Sequence, residues 1–118
     1  MKYVVIVILA LSLAGCKSNP IVPAPIDPPH QQITHKPLIK VNPYYPKDLL
    51  NRGVEGWVLI EIEVSDEGKV VSSRVIDASP RDGFNQAALD AVNKWIYKPG
   101  SLGPEKKTKA LIEFWISR

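Results

Sequence analysis

Few residues in this sequence have side chains suited to chemistry. Cys16 carries the only thiol, His30 and His35 are the only histidines, and Glu61 and Glu63 are carboxylates two residues apart. A single cysteine excludes an internal disulfide and a metal site built from several cysteines. Two carboxylates act as an acid and a base only where a pocket gives them different environments.

The composition excludes further classes of function. Both histidines lie in a proline-rich stretch, which does not hold metal ligands in a fixed geometry. The chain has no glycine-rich phosphate loop or nucleophile elbow, and its net charge of +3 is small and spread along the sequence. We expect no enzyme activity, no metal or other cofactor and no nucleic-acid partner. Glu61 and Glu63 are expected to pair with Lys107 or Lys109 across a sheet.

The residues around Cys16 predict attachment of lipid. Lys2 is followed by an apolar run of about twelve residues, which is typical of a secretory signal and too short for a bilayer core that needs about 20. Leu-Ala-Gly-Cys at 13–16 resembles the lipobox of bacterial lipoproteins, in which the cysteine sulfur takes a diacylglyceryl group and becomes the first mature residue. We therefore expect a signal peptide over 1–15 and a membrane anchor at Cys16. The alternative is an ordinary signal peptide that ends near a cysteine.

Residues 16–43 predict an extended linker. Residues 17–43 contain seven of the eleven prolines and no glycine. Proline lacks an amide donor and biases the preceding residue towards extended conformations, so we expect a polyproline-like spacer with a reach of about 80 Å.

Residues 44–118 have the patterns of a small folded α+β domain. Pro46 can begin a short helix that ends at Gly53, and the alternation in WVLIEIEV predicts a strand followed by a hairpin turn at Gly68. The return strand, 69–77, needs a bulge between Val70 and Val75 to keep both on one face. A last strand is predicted over TKALIEFWISR, with Ala110, Ile112, Phe114 and Ile116 on its core face.

Between the second and third strands the period changes to that of a helix. Phe84, Ala88, Ala91 and Trp95 form one apolar stripe. We expect Asp82 to cap the start of this helix, Lys94 and Lys98 to lie near its end, and Pro99-Gly100 to stop it.

These residues carry a resemblance to a known family. YYP, VEGWVLIEIEVSDEGKV and FNQAALDAVNKWIYKPG are similar to the C-terminal domain of the TonB family, from Tyr45 to about Ile116. The resemblance implies a three-stranded antiparallel sheet of order 2-1-3 with helices on one face. It also implies that an extended peptide, the TonB box of an outer-membrane transporter for siderophores or similar solutes, adds to the edge of the last strand. The partner-binding residues would be Tyr45, Pro46, Lys109, Ala110, Leu111, Ile112, Glu113, Phe114, Trp115 and Ile116.

A second apolar patch is predicted on the sheet face away from the helix. It consists of Trp57, Leu59, Leu111 and Trp115. Exposed apolar clusters usually mark contacts, so we expect the patch to be covered by a second copy of the domain, by the proline-rich segment or by a partner. The alternative is that it only shields the hairpin.

The amino end departs from the TonB pattern. TonB proteins begin with a transmembrane helix that contacts the motor proteins ExbB and ExbD, whereas here a lipobox is in that place, with Lys17 favouring sorting to the outer membrane. Two functions therefore compete. One is a lipid-anchored, periplasm-facing TonB-like component of solute uptake, and the other is an envelope lipoprotein adaptor that uses the fold for protein–protein contacts or a homodimer.

Overall fold

The computed structural model describes residues 26–117. The predicted signal peptide and the lipidation site at Cys16 lie outside the described residues. After a 3-10 turn at His30–Gln32, the chain forms helix α1 (Lys47–Asn51), strands β1 (Gly56–Val64) and β2 (Val70–Ser79), helix α2 (Asn85–Val92) and strand β3 (Lys107–Phe114). Within the described residues, no helix is long and apolar enough to cross a membrane.

The three strands form one antiparallel sheet of order β2-β1-β3, as predicted. The hairpin between β1 and β2 turns at Gly68, whose φ is +92°. The expected bulge lies at Val71, and a second bulge lies at Ile76, since the register shifts at both points. Val70 and Val75 consequently both pack against the core, and β1 lies at the centre with a partner on each side.

The core lies between the sheet and α2. Strand β1 contributes Val58, Ile60 and Ile62, which are at most 1% exposed. All four residues of the predicted helical stripe are buried, but α2 itself ends at Val92, so Trp95 reaches the core from the segment that follows. The rings of Phe84 and Phe114 stack at 4.3 Å, joining the start of α2 to the end of β3.

The predicted cap of α2 is wrong. The capping position is Phe84, without a side-chain hydrogen bond, and not Asp82. Because the helix ends at Val92, Lys94 lies in the turn after it and Lys98 lies beyond that turn. Burial of Phe84 at the first turn fixes where the helix begins, and this packing outweighs the local preference for a capping carboxylate.

The proline-rich segment is extended from Ile26 onwards, but it is not a free spacer. The Trp57 indole donates to the Ile26 carbonyl at 2.5 Å, and the Ile26 amide donates to the Ser79 hydroxyl at 3.0 Å. Further along, Ile39 pairs with Ile96 as an isolated antiparallel bridge. The expectation of a detached spacer therefore fails for residues 26–43, since backbone groups that proline leaves free find partners on the domain.

The chain after α2 lies so close to residue 68 that only glycine fits there. A Cβ added at Gly68 would lie 1.9 Å from the carbonyl oxygen of Tyr97, whereas one added at Gly100, also at positive φ, meets nothing within 4 Å. We predict that Gly68→Ala lowers the free energy of unfolding by about 3 kcal/mol or more, and the matched Gly100→Ala by only about 1 kcal/mol. Urea unfolding measures both, and equal losses would contradict the packing argument.

The Tyr97 hydroxyl is buried without a hydrogen-bond partner among the described residues. Burial raises the pKa of Tyr97 to about 12. The unfolded chain loses this proton nearer pH 10, so stability is full below about pH 10 and falls as the pH rises towards the folded value. We predict that Tyr97→Phe raises the free energy of unfolding by about 1 kcal/mol at pH 7 and makes its decline between pH 10 and 12 less steep.

The matched control for this prediction is Tyr44→Phe, because Tyr44 is 55% exposed. Urea unfolding at pH 7 and at several values up to pH 12 compares the two variants. If Tyr97→Phe and Tyr44→Phe gave the same pH dependence, Tyr97 would not be the group responsible.

Candidate functional site

The outer side of β3 presents backbone groups that no strand pairs. The Val64 amide donates to the Lys106 carbonyl at 2.8 Å, and Ser65, its neighbour, bonds the Lys69 carbonyl of the hairpin. The backbone hydrogen bonds of successive β1 residues therefore go to β3 and to β2 in turn. With the register Leu59↔Leu111, the backbone amides and carbonyls of the even-numbered residues of β3 bond β1. Those of the odd-numbered residues point away from β1, towards the outer edge. The outward residues are Lys107, Lys109, Leu111 and Glu113.

The proline-rich segment crosses this edge near Lys109. On the sheet face away from α2, the Lys109 ammonium donates to the Gln32 side-chain oxygen at 2.9 Å. Three residues later, His35 Nδ1 shares a hydrogen bond of 3.1 Å with the hydroxyl of Thr108, which is buried and faces the core side. Residues 33 and 34 thus cross the outer edge of β3, from the sheet face away from α2 to the core side. Within residues 26–117, the outward backbone groups of Leu111 and Glu113 have no hydrogen bond.

A groove lies beside the uncovered part of the edge. Its volume is about 290 Å³, and Ile33, Lys36, Pro37 and Lys40 line it opposite Ala110 and Leu111. A smaller recess of about 110 Å³ lies between Asn42-Pro43 and the stretch from Leu111 to Glu113. The edge is therefore accessible from Ala110 to Phe114, with the proline-rich segment alongside it.

Two of the predicted binding residues lie beyond the strand. β3 ends at Phe114, so the prediction of a strand edge reaching Ile116 is wrong. The Ile116 amide donates to the Glu55 side chain at 2.7 Å, so it bonds a carboxylate directly before β1 and not the backbone of the sheet. Trp115 is 46% exposed, and its indole donates to Glu113 Oε2 at 2.9 Å. Ala110, Ile112 and Phe114 are core residues whose side chains face α2.

Tyr45 and Pro46 fix the chain where it enters the domain. The Tyr45 hydroxyl donates to the Val54 carbonyl, and its ring packs edge-on against Phe84 and Phe114 at 5.5 and 5.7 Å. Burial, and secondly the negative charge of Glu55, raise the pKa of Tyr45. Pro46 precedes α1 directly. Both residues lie near the end of β3 and not along its outward backbone groups.

The predicted apolar patch is covered by the proline-rich segment. Trp57 and Leu59 are only 3% and 2% exposed, although neither belongs to the main core. The segment bonds Trp57 through Ile26, and its His30 Nε2 donates to Glu113 Oε1 at 3.0 Å. Leu59 lies in the sheet between these contacts and the one at Lys109, and its partner Leu111 is half-buried. Trp115 stands apart and remains exposed.

The polar residues of the sheet pair differently from the prediction. Glu61 pairs with Arg74 of β2 at 2.9 Å, which corrects the expected pairing with Lys107 or Lys109. Lys109 lies across from Glu61 in the register but bonds Gln32 instead. Among residues 26–117, no three histidine, cysteine or acidic side chains are grouped so as to hold a metal ion.

Sequence reasoning missed the wall of the groove that the proline-rich segment builds. Lys36, Lys40 and Trp95 line it with Leu111, and the Lys40 ammonium lies 5.5 Å from the centre of the Trp95 ring. The one available signal was the apolar group Leu38, Ile39 and Val41, which is unusual for a spacer. It marks the stretch that bonds to Trp95 and Ile96.

The comparisons with known proteins agree on one protein family. The family model for the C-terminal domain of Gram-negative bacterial TonB proteins matches residues 41–116. TonB of Yersinia enterocolitica is 33% identical over 63 residues, which cover 53% of this chain and 25% of that protein. TonB of Vibrio cholerae is 30% identical over 78 residues, covering 58% and 32%. The chain thus spans about a quarter to a third of the length of these relatives.

Two solved structures share the fold. The solution structure of the Pseudomonas aeruginosa TonB C-terminal domain superposes with a TM-score of 0.59 at 26% identity, over 70% of this chain and 87% of that one. The TonB2 protein of Vibrio anguillarum superposes with a TM-score of 0.56 at 34% identity, over 86% and 100%. Because the family match covers more than half of the sequence, the chain belongs to the TonB family, and residues 41–116 are its TonB C-terminal domain.

Proposed function

We propose that this chain is a lipid-anchored envelope protein that binds the TonB box of outer-membrane transporters as a fourth strand on β3, in the energy-coupled uptake of siderophore-type solutes. The observation that carries the proposal is the outward edge of β3, where the backbone groups of Leu111 and Glu113 have no hydrogen bond in the described chain. Family membership supports the kind of partner. The domain acts here as an interaction module and not as an enzyme.

Strand addition fits the chemistry of this edge. An extended peptide supplies alternating amides and carbonyls that complete an unpaired ladder, so its affinity depends little on side chains. Several such bonds share an applied load, which suits a contact that transmits force. Strand β3, to which the peptide would bond, is firmly held, because each of its residues has a register partner in β1 and its core-facing side chains are buried.

The sequence supports the proposed lipid anchor and the proposed location at the outer membrane. Cys16 in its lipobox context would carry the diacylglyceryl group, with 1–15 removed as the signal peptide and 16–43 linking the anchor to the domain at 44–118. Lys17 favours the outer membrane, with the domain facing the periplasm. Two or more acyl chains give stable anchoring.

A second candidate is an adaptor without a role in uptake. An unpaired edge accepts any extended backbone, including β3 of a second copy, so the uncovered stretch from Ala110 to Phe114 also favours a homodimer or a contact with another envelope protein. Analytical ultracentrifugation distinguishes this candidate, since a dimer through β3 would compete with added peptide.

Titration with TonB-box peptides tests strand addition. We expect peptides of about ten residues, taken from transporters of the same genome, to shift the amide resonances of Leu111 and Glu113 in the chain lacking residues 1–16. A strand bonds β3 through only one parity of its amides. N-methylation of alternate amides should therefore weaken binding about tenfold in one parity and leave it nearly unchanged in the other.

The two N-methylated peptides are each other's control, because they differ only in which amides are blocked. Equal weakening by both, or no shift at the edge with millimolar peptide, would contradict strand addition.

Membrane fractionation tests the anchor. Wild-type protein should incorporate labelled palmitate and sediment with the membranes, whereas Cys16→Ser should lose the label, because no thiol remains to carry an acyl chain. Ser18→Ala is the matched control, since it lies two residues away and keeps the thiol. Unlabelled wild-type protein, or Cys16→Ser that still carries the label, would refute the lipid anchor.

A further inference from the structure

The groove beside β3 has a wall that belongs to the proline-rich segment. This wall is fixed to the domain by backbone bonds, since the amides of Leu38 and Ile39 both donate to the Ile96 carbonyl at 2.7 and 3.0 Å, and the Ile96 amide donates back to Ile39 at 3.0 Å. The Trp95 indole donates to the Val41 carbonyl at 2.9 Å. A wall held in this way is formed before a partner arrives, so it adds contacts without a large cost in ordering.

The charge of this wall is positive and uncompensated. Lys36 and Lys40 line the groove and are exposed, and neither forms a salt bridge within residues 26–117. Lys40 lies over the Trp95 ring, which orients the ammonium but does not neutralise it. The acidic side chain of the neighbouring recess, Glu113, already accepts hydrogen bonds from His30 and Trp115.

We propose that residues 33–43 are the second wall of the peptide site and that Lys36 and Lys40 select a partner strand with a carboxylate side chain opposite them. The proposal rests on strand addition at β3, and it specifies the chemistry of the strand that is added. The juxtaposition that carries it is the pair of unpaired lysines facing Leu111 across a groove of about 290 Å³.

The lining of the groove restricts the partner further. Ile33 and Pro37 on one side and Leu111 on the other give the groove apolar lining, which suits β-branched side chains on the strand residues that flank the carboxylate. The crossing over Lys109 limits the bonded stretch to the outward groups of Leu111 and Glu113. The partner is therefore a short extended peptide with one acidic and several apolar side chains.

Synthetic peptides of alternating threonine and valine, eight residues long and blocked at both ends, test the charge selection. One threonine near the middle is replaced by Glu, Gln or Lys, and a second set carries the replacement near the amino end, so that two registers of the added strand are covered. Binding is followed by the amide shifts of Leu111 and Glu113 in the chain lacking residues 1–16. We expect the Glu peptide to bind at least about threefold more tightly than the Gln peptide, with the difference shrinking as salt is raised.

Charge reversal in the wall provides the decisive comparison. In Lys36→Glu/Lys40→Glu the preference should invert, so that the Lys peptide binds most tightly. Lys94→Glu/Lys98→Glu changes the net charge equally at exposed positions that do not line the groove and should keep the wild-type order. Slow hydrogen exchange of the Ile96 amide, which bonds the Ile39 carbonyl, would show that the wall remains in place.

The outcomes separate the two proposals. If all three peptides shift the edge amides with equal affinity, or if the Lys94→Glu/Lys98→Glu control loses the preference as well, strand addition stands and the charge selection is overturned. If neither these peptides nor the TonB-box peptides affect the edge, strand addition itself is overturned.

Discussion

Among residues 26–117, the backbone of β3 pairs with a strand on one side only, and the rest of the described molecule is arranged around that fact. In a sheet of order β2-β1-β3, the central strand satisfies its amides and carbonyls on both sides, whereas the outer strands β2 and β3 each pair on one side only. Unpaired edges attract other chains indiscriminately unless something restricts access. Here the restriction comes from residues 33 and 34, which pass over the edge near Lys109 and leave a short accessible stretch beyond it.

The sheet has two faces, and the chain covers them by different means. Helix α2 and the segment after it bury the face that contains Val58 and Ile60. The opposite face, with Trp57 and Leu59, is covered by a segment without a hydrophobic period of its own. Proline suits this task, because it leaves carbonyl acceptors available while removing donors that would need partners.

The sequence predicts the local features well, because they depend on neighbouring residues. Alternation in β1, the turn at Gly68 and the buried stripe that includes Phe84 and Trp95 follow from periodicity and backbone sterics. The contacts of the proline-rich segment do not, since His30 and Glu113 are 83 residues apart and single side-chain bonds leave no periodic trace. The helix cap failed for a related reason: tertiary packing of Phe84, and not the nearby Asp82, sets the start of α2.

The bonds of Ile26 to Trp57 and Ser79 also set a length scale. With an anchor at Cys16, ten residue steps connect the lipid to the first docked residue, and a fully extended chain covers about 35 Å at most in that number. A free linker over the whole of 17–43 would let the domain lie more than twice as far from the anchor. If Cys16 carries the proposed lipid, the docked segment would confine the domain to a thin layer next to its own bilayer, within reach of neighbours in the same membrane and out of reach of proteins across the periplasm.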